Sequence, residues 1–520
     1  MKTKINYPGR PELILITSIS ILNLLIYLIT QALFAYGIFR DELYYIACAN
    51  RLDIGYVDHP PFSIWVLAIW KSLFGDSMFA VRIVPAIVTS VILFIIGLFA
   101  VRLGGGKIAV IISTIAFMLS PIFLGMNTIY SMNVFDFFFW ISSAYIFLRI
   151  IQTESGTSGS LIDNKLWLLL GVVIGLGLLN KTSMLWLSSG IAAGIIFTPI
   201  RKVLKTKYPY IAVAIALLIF SPYIIWNITH DFAHLEFMRN AASRKYGGLT
   251  PVSFILDQIL ILNPLSILIW LPGLLFYFVN REGKQFRAVG FIWLTTFAVL
   301  LINWHSKGEY IAAAYQILFA GGAVIIEKWS EIRKWIQYSI AVPVLVFGIL
   351  LSPFARPLIP ADKFLEYQNA FGLKPPSNEG HETELPQFYS DMFGWEDLAK
   401  SVSKVYLSLP EEERKNTVVY CSNYGKAGAI EYYSKKYPLP EVVCPHNSYW
   451  YWWPQRTSVN TIIIIGGEIE DHLQSLEQVE AAGFHKTKYA MPYENNLTIY
   501  VCRGFKRSLE EIRQSDKIFI

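Results

Sequence analysis

The sequence predicts a polytopic α-helical membrane protein of about eleven transmembrane helices with a C-terminal α/β domain; the membrane character and the division of the chain rest on three observations. Of 520 residues, 54% are apolar and only 16% charged, whereas a soluble globular chain carries roughly 25% charged residues. Mean hydropathy is +0.44. The charges are also unevenly spread. Apolar runs of transmembrane length recur from Pro11 to about Ser352, and the remainder has the mixed composition of a soluble domain. The division is therefore a membrane domain over 1–353 and a soluble domain over 354–520. The net charge of +6 lies mostly in short loops and reads as topology, not as nucleic-acid binding.

The first run, Leu13–Phe39, carries no charge and is long enough to cross a bilayer with some tilt. It lacks a small-residue cleavage pattern and reads as a retained helix. Further runs lie near 78–101, 108–125, 134–150, 166–180, 183–200, 208–226, 253–279, 288–303, 311–326 and 335–353, which makes about eleven helices. With that count, Lys2, Lys4 and Arg10, Arg102 and Lys107, Arg149 and Lys165, Arg201 to Lys207, Arg281 to Arg287, and Lys328 to Lys334 all share one side. The excess of Lys and Arg marks that side as cytoplasmic. The expectation is a multi-pass protein of the cell (inner) membrane, its N-terminus cytoplasmic and its C-terminal domain extracytoplasmic.

The outward loops are chemically unusual. The first, residues 40–77, holds Arg40, Asp41, Glu42, Arg51, Asp53, Asp58 and His59 between two apolar segments. Asp136 precedes "FFFW", and Lys181 ends an apolar helix. An ionisable group at the membrane boundary is costly unless it meets a wet cavity or a partner. Lys181 alone fits a snorkelling anchor, but an Asp side chain is too short for that. Asp41, Glu42, Asp58 and Asp136 with His59, Lys181, Arg239, Arg244, Lys245 and Lys307 therefore describe a polar cavity open to the outside. Such a cavity suits a substrate with a lipid tail and an anionic head. Basic groups would hold a phosphate, and a carboxylate would act as general base to an attacking hydroxyl. A carrier would place ionisable residues and broken helices near the midplane; here the helix middles are clean.

The stretch "RDELYYIACANRLDIGYVDHPPFSIWVLAIWKSLFGDSMFAVRIVPAI" resembles the first outer loop of membrane glycosyltransferases of family 39. That family includes the dolichyl-phosphate-mannose–protein mannosyltransferases, their bacterial relatives and, more distantly, the lipid A aminoarabinose transferases. The pattern is carried by Asp41 and Glu42, the aromatic pair Tyr44 and Tyr45, "DHPP" at Asp58–Pro61, and Arg82 in "RIVPAI". Similar stretches are "YSMNVFDFFFW", "GLGLLNKTSML", "HSKGEYIAAAYQILFAGGA", "SNYGKAGAIEYY" and "HNSYWYWWP". The resemblance implies a fold of the C-superfamily glycosyltransferase type, a polyprenyl-phosphate sugar as donor and the first-loop acid, Asp41, as catalytic base in one inverting displacement. Glu42 is the alternative base, since sequence does not separate adjacent acids. Without the resemblance, Asp41 reads as a helix N-cap worth about 1 kcal/mol.

The resemblance places Lys307 near the donor phosphate; its bland counterpart is a membrane-edge anchor beside Trp304 and Tyr310. His59 stands where the aminoarabinose branch has Lys, which argues against that sugar. It is read equally as a phosphate contact or as a loop residue tied to Asp58. Arg244 and Lys181 complete the donor-side set, and Asp58, Asp136, Tyr44 and Tyr45 the cavity and acceptor side. No cofactor is expected: His230 and His234 have helical zinc spacing but no third ligand. The partners implied are the lipid-linked donor, membrane lipids and an unidentified protein, lipid or glycan acceptor, with no nucleic acid. The competing functions are a lipid-linked-sugar flippase or transporter and a non-catalytic glycan-binding membrane protein.

In the soluble part, "NTVVYCS", "TIIIIGG" and "NLTIYVCRG" read as strands, and "AGAIEYYSKKY" and "EDHLQSLEQVEAAG" as helices. "HNSYWYWWP" reads as a loop docked on the helical domain or the membrane, with sugar binding as the second reading. Cys421, Cys444 and Cys502 allow three single disulfide pairings, and strands carrying Cys421 and Cys502 would bring those two close if adjacent.

Overall fold

The computed structural model describes residues 7–34, 36–154, 161–244, 248–304, 306–375, 382–454 and 459–520. The helical part comprises α1 (Arg10–Phe34), α2 (Arg40–Asn50), α3 (Phe62–Phe74), α4 (Met78–Arg102), α5 (Lys107–Met118), α6 (Pro121–Met126), α7 (Met132–Glu154), α8 (Leu161–Leu178) and α9 (Met184–Ile196). It continues with α10 (Tyr208–Thr229), α11 (Ala233–Arg244), α12 (Pro251–Leu260), α13 (Ile267–Phe278), α14 (Arg287–Ile302), α15 (Tyr315–Ile332) and α16 (Trp335–Ala355).

Among the described residues, seven helices are long and apolar enough to cross a membrane, and two bent pairs bring the number to nine. The bends have sequence causes. α9 turns by 101° into the 3₁₀ segment Pro199–Lys205, and α12 turns by 94° into Pro264–Phe278, each at a proline that opens the second piece. The remaining two of the expected runs fall on the shorter apolar helices α5 and α8. The first helix ends at Phe34 rather than Phe39. The loop that follows folds into α2 and α3, and α3 leaves Ile69, Leu73 and Phe74 exposed, as a helix lying at a membrane interface does.

Packing between spans relies on small residues. A Cβ on Gly322 of α15 would lie 1.8 Å from the Ile269 carbonyl of α13, and one on Gly273 would lie 2.2 Å from the Leu318 carbonyl. The two helix backbones therefore touch, a contact that only glycine permits. At the end of α16, Arg356 is buried with its guanidinium 3.6 Å from the centre of the Tyr27 ring on α1.

The C-terminal part opens with α17 (Ala361–Ala370), α18 (Gln387–Ser390), α19 (Trp395–Ser408) and α20 (Glu411–Arg414). A five-stranded sheet follows: β1 (Thr417–Tyr420), β2 (Glu441–Val443), β3 (Thr461–Ile465), β4 (Leu476–His485) and β5 (Leu497–Phe505), in the order β2-β1-β3-β5-β4. β2, β1 and β3 are parallel, whereas β3–β5 and β5–β4 are antiparallel. α21 (Tyr424–Tyr433) makes the crossover from β1 to β2, and α22 (Ile469–His472) and α23 (Leu509–Ser515) are short. One expected element is corrected. "EDHLQSLEQVEAAG" was expected as helix, but only its first residues form α22, and the rest is β4. Its pairing with β5 runs from Leu476–Phe505 to His485–Leu497, around a bulge at Ala481–Gly483. That ladder outweighs the helix preference of Glu, Gln and Ala. The four cysteines are buried and free. β3 lies between the strands that lead to Cys421 and carry Cys502, so those strands are not adjacent.

The C-terminal part sits directly on the first loop. α21 packs on α2 through Gly425 and Gly428, where an added Cβ would approach Arg40 Cγ to 2.6 Å and Leu43 Cβ to 2.9 Å. Arg51 at the end of α2 donates to both oxygens of Glu431 on α21, at 2.9 and 2.6 Å.

Candidate active site

α2 begins at Arg40, so Asp41 lies in its first turn and not at the cap; Phe39 holds the cap position. A carboxylate there interacts favourably with the helix N-terminus. The two adjacent acids have different surroundings. Glu42 is fully buried. Its Oε2 accepts from Phe39 N at 2.9 Å and Arg82 Nη2 at 2.6 Å, and its Oε1 accepts from Arg82 Nε at 2.8 Å and Tyr130 N at 2.9 Å. A carboxylate so enclosed clamps α2 to α4 and the 130 loop, and no substrate reaches it. Asp41 is 39% exposed. Its Oδ1 accepts from Tyr424 Oη at 2.8 Å, and Arg40 Nε lies 4.0 Å away.

A second polar cluster lies at the start of α7. Lys181 Nζ donates to Asn133 Oδ1 at 2.7 Å and stands 3.7 Å from Asp136 Oδ2. Ser183 Oγ donates to Asp136 Oδ1 at 2.5 Å. These groups line a small cavity of about 30 Å³ with Glu309 and Tyr310, enough for water. Lys307 caps the 3₁₀ segment Gly308–Ala314 and lies 3.7 Å from Glu309. The structure thus gathers Lys181, Asp136 and the Lys307 loop around one pocket. It is joined to α2 through Met132: the Met132 N–H donates to Tyr45 Oη at 3.3 Å, and Asn180 Nδ2 donates to the Met132 carbonyl at 2.9 Å.

The "DHPP" element is packed below the surface. His59 is 1% exposed, stacked on Tyr45 with ring centres 4.9 Å apart and set edge-on to Tyr44. Its Nδ1 lies 3.0 Å from the Pro60 carbonyl, and its Nε2 is 4.0 Å from Asp58 Oδ1. Tyr44 Oη donates to Asp58 Oδ1 at 2.8 Å. His59 is therefore tied to Asp58 and the tyrosines and does not face the Lys181 pocket. Arg244 is exposed at the end of α11; Lys245 and His305 lie outside the described residues. The His230 and His234 rings go to backbone carbonyls, of Trp226 at 2.8 Å and Val57 at 3.0 Å, and burial holds the His234 imidazole below its ordinary range.

Sequence reasoning assigned no role to the C-terminal contribution. Tyr424, the first residue of α21, reaches Asp41. Asp391, at the end of α18, is buried; burial, opposed by Arg40 and aided by Asp41 and Glu494, pushes its carboxyl up to about 7. Lys426 and Glu494, both almost fully buried, pair at 3.2 Å beside them. The signal was present in "SNYGKAGAIEYY", whose Asn423 caps α21 by accepting from Lys426 N at 3.0 Å, but nothing in the chain order links that stretch to residue 41. "HNSYWYWWP" does dock on the helical part. Val57 N donates to Ser448 Oγ at 3.1 Å, and Tyr451 meets Trp226 and His230.

The apolar helical scaffold carries an acidic first loop, and an α/β domain packs on that loop. Residues 58–226 match the family model described as dolichyl-phosphate-mannose-protein mannosyltransferase, in line with the resemblance of the first loop. The chain is similar to the lipid A galacturonosyltransferase RgtD of Rhizobium johnstonii, 24% identical over 61% of this chain and 66% of that protein. It is also similar to the undecaprenyl phosphate-alpha-4-amino-4-deoxy-L-arabinose arabinosyl transferase of Aeromonas hydrophila, 26% identical over 58% and 57%. These alignments thus span under two thirds of either relative's own length. Among solved structures, the fold matches ArnT from Cupriavidus metallidurans bound to undecaprenyl phosphate. The TM-score is 0.59 at 12% identity, over 95% of this chain and 98% of that one. The oligosaccharyltransferase of Archaeoglobus fulgidus matches with a TM-score of 0.51 at 13% identity, over 86% and 68%. The fold is thus the one these membrane glycosyltransferases share.

Proposed function

We propose that the protein transfers a hexosyl or pentosyl group from a polyprenyl-phosphate carrier to an acceptor hydroxyl on the side of the C-terminal domain, by one inverting displacement. The observation that carries this reading is the half-exposed Asp41 carboxylate, set in the first turn of α2 between the membrane helices and the soluble domain. Asp41 takes the proton of the acceptor hydroxyl as its oxygen attacks the anomeric carbon. The bond from that carbon to the phosphate oxygen breaks on the opposite face, and polyprenyl phosphate leaves. Lys181 and Lys307 stabilise the departing charge, with Arg244 as a further contact to the phosphate. His59 supports the loop through Tyr44, Tyr45 and Asp58. The clustering of Lys and Arg in the opposite loops supports an extracytoplasmic site at the cell membrane.

The names of the relatives, a lipid A galacturonosyltransferase and an undecaprenyl phosphate-alpha-4-amino-4-deoxy-L-arabinose arabinosyl transferase, support the donor class. The test is a panel of labelled polyprenyl-phosphate sugars presented to the purified protein with membrane extract as acceptor source. Transfer of label with inversion at the anomeric carbon is expected from at least one donor. Movement of intact donor across a vesicle without release of its carrier would support a flippase instead.

A further inference from the structure

The C-terminal domain makes a direct side-chain hydrogen bond to Asp41. Tyr424 Oη donates to Asp41 Oδ1 at 2.8 Å. Its ring is held on three sides. The Tyr44 ring lies 4.9 Å away, the His446 ring 4.8 Å away, and the Arg40 guanidinium sits over it at 5.2 Å. Its backbone is fixed as well, because Asn423 caps α21 at that point. A side chain with so few free rotamers gives its hydroxyl one direction, and that direction is toward the carboxylate. Arg40 Nη2 donates to the same hydroxyl oxygen at 3.3 Å, which polarises the O–H toward Asp41.

We infer that Tyr424 is a positioning residue: it fixes the rotamer of Asp41, and through it the C-terminal domain completes the site that the membrane domain begins. This deepens the reading proposed above and rests on it. The chemistry follows from the geometry. With Oδ1 engaged by the phenol, the other carboxylate oxygen is left to meet the acceptor hydroxyl. A carboxylate free to rotate would sample that orientation only part of the time. The groups facing Asp41 are Arg40 on its own helix, Asp391 from the end of α18, Tyr424 from α21, and Tyr45. Tyr493, Glu494 and Asp58 act on that set from the next layer.

The experiment compares wild type, Tyr424→Phe and Asp41→Asn in detergent with a donor that wild type turns over. Tyr424→Phe keeps the ring and its packing, so its thermal unfolding midpoint should stay near wild type. Its kcat should fall roughly ten- to hundredfold with the donor KM unchanged. Tyr424→Ala should lose the same activity and also stability. A merely structural tyrosine would leave the kcat of the Phe variant at the wild-type value, and that result would overturn the inference. Wild type inactive on every donor, or Asp41→Asn fully active, would instead overturn the underlying reading, so the two failures are distinguishable.

Discussion

At the scale of single residues, burial separates groups that the sequence left equivalent. Glu42 and Asp41 are neighbours, yet one neutralises a buried guanidinium and the other is partly exposed. Glu42→Gln removes the counter-charge of the buried Arg82 guanidinium, which keeps its bonds to Gln31 Oε1 and the Gly37 carbonyl. Breaking a buried pair in this way costs about 3–5 kcal/mol, so Glu42→Gln should lower the thermal midpoint sharply, and its activity should fall only as folded protein is lost. An unchanged midpoint would show that the pair is not structural. Lys307→Ala should raise the donor KM roughly ten- to hundredfold, the worth of a charged hydrogen bond of about 1.5–3 kcal/mol. Lys307→Arg should recover part of that loss. Kinetics with each substrate varied in turn checks this, and a changed acceptor KM alone would move Lys307 to the acceptor side.

Asp391 gives a pH signature. Its carboxyl is pushed up to about 7 by burial, against about 3.9 in an unfolded chain. Between those values the folded protein holds a proton that the unfolded chain releases. Stability from this group is therefore fully present below about pH 4 and is lost as pH rises through about 7. Thermal unfolding from pH 4 to 8 should show a fall in this window that Asp391→Asn removes. An identical profile in the variant would contradict the assignment.

At the scale of elements, the chain was legible where one local rule dominates. Apolar length located the spans, and the prolines at 199 and 264 now account for the two bends that hydropathy alone ran together. β1, β3 and β5 were legible from their β-branched runs. β4 was not, because Glu477, Gln478, Glu480, Ala481 and Ala482 favour helix and become strand only through the ladder to β5. β2, only Glu441–Val443, is too short to announce itself. The α13–α15 contact offers a direct test at this scale. Gly322→Ala would set a methyl 1.8 Å from the Ile269 carbonyl, which forces the helices apart. Overpacking of this kind costs about 1–3 kcal/mol, and the variant should unfold at lower temperature. A midpoint equal to wild type would mean that the helices stand further apart than described.

At the scale of the whole molecule, the site is a product of two parts of the chain far apart in sequence. The polar character of the first loop was legible, because charge in so apolar a sequence demands a reason. The pairing of Lys181 with Asp136 was foreshadowed by their depth at the ends of two helices. The contribution of Tyr424, Asp391 and Glu494 was not legible, since only the docking of α21 on α2 brings them to Asp41. The enclosure of His59 was also hidden: its neighbours Tyr45 and Tyr56 close over it only once the loop has folded.

The central claim is that a carboxylate at position 41 accepts the proton of the incoming hydroxyl during sugar transfer. The most direct measurement is release of polyprenyl phosphate from a turned-over donor by wild type and Asp41→Asn side by side, with donor binding measured on both. The amide is nearly isosteric and can still receive a hydrogen bond from Tyr424, but it cannot take a proton. Donor binding should be preserved while turnover falls by about 10²- to 10⁴-fold. An Asp41→Asn protein that binds the donor and releases its carrier at the wild-type rate would contradict the account.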